Sequence, residues 1–252
     1  MAEYRFHTPE PVELEVKIPA GGIEVETVDG DESLVTLEGS ERLLEQMQVE
    51  LQGRRLVVAY QGKRGFGITI SIGDFGFGNG KIRVRARVPH GSGAELATAA
   101  ADMKLQGRFG ALETKSASGD LRVVGEIERD ANLKTVSGDV FLHDVGGELR
   151  VQSVSGDLMV RSVGGSVQTK TVSGDVRVES VRQGQVTAQS VSGDIEIGVE
   201  AGTNLDVDAG SVSGDLASEV PLGSEPGGAA DGPTLVVRGK TVSGNFRVIR
   251  AS

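Results

Sequence analysis

Apolar and polar residues alternate along most of the chain in short runs, and the phase of the alternation flips at a near-constant interval. Leu149-Arg150-Val151-Gln152-Ser153 and Val167-Gln168-Thr169-Lys170-Thr171 carry one parity, while Val176-Arg177-Val178 and Ile195-Glu196-Ile197 carry the other. A period of two predicts β-strands with one face buried. Each flip falls on a triplet, Ser-Gly-Asp, starting at Ser118, Ser137, Ser155, Ser173, Ser192 and Ser213, with Ser-Gly-Asn at Ser243. Successive starts are separated by 19, 18, 18, 19, 21 and 30 residues, and a degenerate copy places Asp102 18 residues before Asp120. Glycine permits a backbone that other residues resist, and Asp closes a local turn, so the triplet predicts a corner.

Alignment on the Ser gives each position a task. Three residues after it stand Leu121, Val140, Leu158, Val176, Ile195, Leu216 and Phe246. Two before it stands a hydroxyl residue in every copy, and one before it Val in all but the first, where Ala117 takes its place. A second corner is often Val-Gly-Gly, as at Val145-Gly146-Gly147 and Val163-Gly164-Gly165. Two short strands cannot bury an apolar face alone, whereas stacked copies share one thin core. The expected architecture is all-β: a single-stranded parallel β-solenoid, or β-helix, with coils of about 18 residues rising about 4.8 Å each. A β-sandwich is the alternative.

Residues 90–252 are read as the solenoid repeat, with a loop inserted at 219–233 where Pro, Gly and Ala concentrate. Residues 1–89 are read as a strand-rich N-terminal cap or degenerate coils. Its strands are expected over Val12–Ile18, Ile23–Glu26, Gly67–Ile72 and Lys81–Val88, with one or two helical turns near Ser40–Met47. The last coil, ending Asn245-Phe246-Arg247-Val248-Ile249-Arg250, shows no capping helix, which suggests self-association there.

The spelling Thr171-Val172-Ser173-Gly174-Asp175-Val176-Arg177-Val178, preceded upstream by Ile82-Arg83-Val84-Arg85-Ala86-Arg87-Val88-Pro89, resembles a bacterial β-strand-repeat family of unknown function. Members often carry the label "putative adhesin". The resemblance runs from about Val12 to the end. It implies a β-helical fold and a non-enzymatic scaffolding or cell-envelope association, and it brings no catalytic residues with it.

Composition narrows the chemistry. There is no Cys among 252 residues, hence no disulfide, thiolate metal site or cysteine nucleophile. A formal charge of −10 disfavours nucleic acid as a partner. No apolar run reaches a membrane span, and Met1–Arg5 does not read as a signal peptide, so a cytoplasmic location is expected, with any envelope contact made through a partner. His7, His90 and His143 have no metal-ligand spacing. Asp74-Phe75-Gly76 lacks any kinase context, and Gly76–Gly80, with Phe66, Phe75 and Phe77 about it, leads into a strand rather than a helix. No cofactor and no catalytic residue is expected.

Four sets of residues remain as candidates. Stacking would align Asp120, Asp139, Asp157, Asp175, Asp194 and Asp215, and carboxylates ~4.8 Å apart repel by about 0.9 kcal/mol in water. Backbone amides or a column of calcium ions would compensate, as in β-rolls. The basic or amide column Lys115, Lys134, Gln152, Lys170, Gln189 and Lys240 offers a third compensation across the corner. Four residues after the Ser, Phe141 and Met159 point outward between Arg122 and Arg177, a candidate protein-contact patch. Lys81, Arg83, Arg85 and Arg87 share a strand face suited either to an anionic envelope polymer or to pairing with Glu13/Glu15 or Glu24/Glu26. A polysaccharide-acting β-helix enzyme is the remaining class. Its acid and base need two different environments, which a uniform Asp column does not supply.

Overall fold

The computed structural model describes residues 1–61, 81–220 and 232–251. The strand expected at Gly67–Ile72, the aromatic glycine-rich stretch Phe66–Gly80 and most of the 219–233 loop lie outside the described residues. The chain forms two compact units, Met1–Gly125 and Glu126–Ser252. Both are built from β-strands, and the fold is a parallel β-solenoid.

In the first unit, β1 (Ala2–His7), β2 (Glu13–Val28) and β3 (Glu32–Glu38) precede a single helical turn, α1 (Glu41–Leu44). Then follow β4 (Met47–Gln52), β5 (Arg55–Tyr60), β6 (Ile82–Pro89), β7 (Gly93–Phe109), β8 (Leu112–Ser118) and β9 (Leu121–Ile127). The two alternating runs expected at Val12–Ile18 and Ile23–Glu26 belong to one strand, β2. The first half of β2 pairs in parallel with β5, the second half with β6, and both with β7. Antiparallel pairs β1–β3, β3–β6 and β4–β5 complete this sheet. Buried Leu14, Val16, Ile18, Ile23 and Val25 carry the core, so period two along β2 becomes an apolar inner face.

The second unit is the repeat in its regular form. Its strands are β10 (Ala131–Thr135), β11 (Val140–Val145), β12 (Leu149–Gln152), β13 (Leu158–Val163), β14 (Val167–Lys170), β15 (Val176–Val181), β16 (Gly184–Ser192) and β17 (Ile195–Val199). The last four are β18 (Asn204–Ser213), β19 (Leu216–Ser218), β20 (Thr234–Ser243) and β21 (Phe246–Arg250). Register follows the sequence spacing, with Leu149 opposite Val167, Val167 opposite Val186, and Val140 opposite Leu158. The residues three after the Ser point inward in every copy but the outermost: Val140, Leu158, Val176, Ile195 and Phe246 are all buried.

One expectation fails at the end of the stack. The C-terminal coil is not the edge. β20 pairs with β16 on one side and β18 on the other, and β21 lies likewise between β17 and β19. The chain leaves β17, builds the outer coil β18–β19, then returns to insert its final coil between the two. Side-chain size gives a physical reason. Phe246, 1% exposed, fills the interior beneath Gly239, where a Cβ would lie 2.1 Å from its ring. An outer coil would leave that ring half in water, at a cost of roughly 1–2 kcal/mol. The coil that does lie outside carries Leu216, which is 52% exposed.

Candidate functional site

The triplet Asp residues form a ladder held by the backbone. The Oδ1 of Asp139 accepts the N–H of Asp157 at 2.9 Å, Asp157 accepts Asp175 at 2.8 Å, and Asp175 accepts Asp194 at 2.8 Å. In the first unit Asp102 accepts the N–H of Asp120 at 3.1 Å. Inserting the last coil places Asn245 between two acids rather than at the end of their row. Its N–H and side-chain Nδ2 donate to Asp194 at 2.8 and 3.2 Å, and its Oδ1 accepts the N–H of Asp215 at 3.0 Å. The Asn245 backbone and side-chain bonds hold the Asp194 carboxyl below its ordinary range. Asp102, Asp139, Asp157, Asp175 and Asp194 therefore each have an amide from the next coil, which offsets the carboxylate repulsion. Among the described residues no group of three or more His, Asp or Glu is placed to hold a metal ion.

The basic and amide column does not supply that compensation. Lys115 pairs with Glu113 at 2.7 Å, whereas Lys134, Lys170 and Lys240 have no carboxylate within ion-pair reach among the described residues. Lys134 and Lys170 sit five residues before the Asp of their own turn and Lys240 five before Asn245, on the far side of the corner.

The cationic strand β6 is interleaved with acids. Arg85 donates to Glu24 at 3.0 Å and to Glu38 at 2.7 Å, and Arg87 donates to Glu26 at 3.0 Å. Arg83 lies 3.9 Å from Glu24 and 3.7 Å from Glu38. Its Glu24 bond, then the Glu38 charge, raise the Arg85 pKa. Lys81 precedes the strand and is exposed. Glu38, contributed by antiparallel β3, is the partner that alternation alone does not reveal. Glu15 is used elsewhere. Burial pulls its pKa up, but hydrogen bonds and charge from Lys17 and Arg55 outweigh that and hold it low.

Phe141, Met159 and Arg177 stand opposite one another on consecutive strands β11, β13 and β15. Phe141 is half-buried and Met159 is 41% exposed. Arg177 contacts Glu196 at 3.2 Å and Glu179 at 3.7 Å. Arg122 lies on β9, within the first unit.

A further column was not singled out as a site. Val136, Val154, Val172, Val191, Val242 and Val212, one per corner, are between 39% and 82% exposed. Each precedes a Ser-Gly turn, where the inward and outward parities exchange, so its side chain stacks on its neighbours and faces water.

These parallel ladders, with their recurring Gly-Asp corner, have counterparts among known proteins. A family model described as Toastrack DUF4097 matches residues 12–248. The chain belongs to that family. Solved structures with the same fold include a "putative adhesin" from Bacteroides fragilis NCTC 9343, 13% identical with a TM-score of 0.56. Another "putative adhesin", from Parabacteroides distasonis ATCC 8503, is 15% identical with a TM-score of 0.57. A "putative lipid binding protein" from that same strain is 14% identical with a TM-score of 0.57. Each comparison covers 98% of this chain and 96% of the other. No curated protein matches the sequence. The membership and these likenesses establish the toastrack β-solenoid fold, and among the described residues no helix is long and apolar enough to cross a membrane.

Proposed function

We propose that the chain is a non-catalytic, adhesin-like scaffold that binds a protein partner through side chains displayed in register on its coils. The observation that carries this reading is the run Phe141, Met159 and Arg177, in which an aromatic ring, an exposed thioether and a guanidinium occupy one line across three strands. Aromatic, Met and Arg side chains are the types enriched where proteins meet. The repeated carboxylates support the absence of catalysis, because Asp139, Asp157 and Asp175 each accept the same bond, from the backbone N–H of the Asp on the next coil, where an acid and a base would need two different environments. The neighbours named as adhesins fit the same reading.

The test is comparative capture on immobilised full-length protein. Phe141→Ala with Met159→Ala should reduce recovery of a saturable envelope partner at least tenfold while leaving the thermal melt within about 2 °C of wild type. Capture equal to wild type refutes this face as the contact. The expected location is the cytoplasm with envelope contact through that partner, and recovery of the chain in a fraction that carries no envelope marker under any extraction condition would remove the envelope part.

A further inference from the structure

The corners of the last coils border an open, shallow concavity of about 590 Å³ in the second unit. One wall is Lys170, Gln189 and Lys240, adjacent in register on β14, β16 and β20. The other is the exposed valines Val191, Val242 and Val212. Between them in sequence stand hydroxyl residues, Thr171, Ser190 and Thr241, each buried on the inward parity of its strand. At Thr135, Ser153 and Thr171 this hydroxyl donates to the carbonyl of the turn Ser two residues on. At Ser190 and Thr241, which are 6% and 3% exposed, the hydroxyl has no partner among the described residues. Both share the core face of their strands with Val186 and Leu235, so the outward face of the groove belongs to the lysines and valines.

Two features set this groove apart. Its lining contains no Asp or Glu, although the chain carries a net charge of −10. Two other concavities among the described residues are lined by Glu13, Glu15 and Glu95, and by Asp144 and Glu179. The groove is also open where the outer coil would have extended the wall, because Gly210 stands opposite Lys240 with nothing within 4 Å of a Cβ built on it. Two ammonium groups without an acidic partner among the described residues, with an amide between them, offer donors to one anion. The valine wall continues along Val172, Val154 and Val136, an apolar track about 24 Å long at ~4.8 Å per coil.

We propose that this groove binds an anionic single-chain lipid, its carboxylate between Lys170 and Lys240 and its acyl chain along the valine column. The site goes beyond the scaffold reading and shares no residue with the Phe141–Met159 face, so either can fail alone. Charge and apolar surface must act together: head group or chain alone binds weakly.

Calorimetry on the full chain, with dodecanoate below its micelle concentration as probe, tests this. One saturable site is expected, with acetate and the non-ionic dodecyl maltoside each at least tenfold weaker. Lys170→Gln and Lys240→Gln should each weaken dodecanoate about tenfold, the scale of one charge-assisted bond. Gly210→Gln, which rebuilds the wall into open space, should abolish binding while leaving the melt unchanged. No saturable binding, affinity indifferent to all three variants, or equal binding of dodecyl maltoside would overturn the proposal. So would an acidic apolar peptide that occupies the groove in preference to dodecanoate.

Discussion

The turn glycines offer the sharpest check on the stacking. Gly174 has φ of +121°, and a Cβ built on it would lie 2.2 Å from the carbonyl oxygen of Gly156 on the preceding coil. Real Cβ atoms do not approach within 3.0 Å, so Gly174→Ala must push two coils apart by the better part of an ångström. That shift strains the bonds that tie the corner together: Ser173 N–H to Val154 at 2.8 Å, Gly174 N–H to Ser192 at 3.1 Å, and Asp175 N–H to Asp157 at 2.8 Å. The backbone conformation costs ~1–3 kcal/mol for a residue with a Cβ, and the overpacking ~1–3 kcal/mol more. A loss of about 4 kcal/mol follows, and at ~2–4 °C per kcal/mol for a chain of this size the melting temperature should fall by about 10 °C. Gly202 is the control. It has φ of +80° with nothing within 4 Å of its Cβ, so Gly202→Ala meets only the conformational cost, about 1 kcal/mol. Thermal and guanidinium unfolding by circular dichroism would compare the two. Equal losses would show that the Gly column answers to local backbone preference, and the close coil contact would have no energetic standing.

Two further predictions follow from the acids. Asp175→Ala removes the acceptor for the Asp194 N–H and should cost about 1 kcal/mol, whereas Asp175→Asn keeps an oxygen there and should cost less than half of that. Were the column a calcium site instead, Asp175→Asn would be the damaging change and chelator would lower the melting temperature; neither is expected. Glu15 and Asp194 both have lowered folded pKa values, so their stabilisation is complete above the usual carboxylate range near ~4 and is lost as pH falls through the lower, folded values. Acid melts should therefore be flat from pH 8 to about 5 and drop below ~4, a drop that Glu15→Gln and Asp194→Asn make shallower; unchanged steepness in both would refute the assignment.

Much of the fold is legible because a solenoid writes its register into its spacing. The intervals of 18, 18 and 19 residues between successive Ser starts reappear as the strand offsets from Val140 to Leu158, Val176 and Ile195. The acid ladder is likewise readable as Asp two residues past each Ser, though not the identity of what compensates it. Three things resist a linear reading. Glu38 reaches Arg83 and Arg85 only because β3 runs antiparallel beside β6, which no local pattern encodes. The turn valines spell an apolar position like any other, yet the parity change turns them out toward water. The order of the last coils is hidden because Asn204–Ser218 and Thr234–Arg250 carry the same repeat signals, and only the burial of Phe246 separates inner from outer.

That one inversion of order assembles the groove. Stacked in the order of the sequence, Lys170 and Gln189 would be followed by Gly210 and only then by Lys240, leaving the two ammonium groups three coils apart, about 14 Å, with a gap between them. As the chain folds, Lys240 sits directly beside Gln189, two coils from Lys170 at about 10 Å, and Gly210 opens the end of the wall instead of breaking its middle. The same step brings neutral Asn245 next to Asp194, so the acid column loses a charge on the coil that carries Lys240. Cations gather on one side of the corner and the acid row thins on the other, without any change to the repeat itself. A uniform solenoid presents the same surface at every rung; inserting the final coil out of turn is what makes this stretch different from the rest.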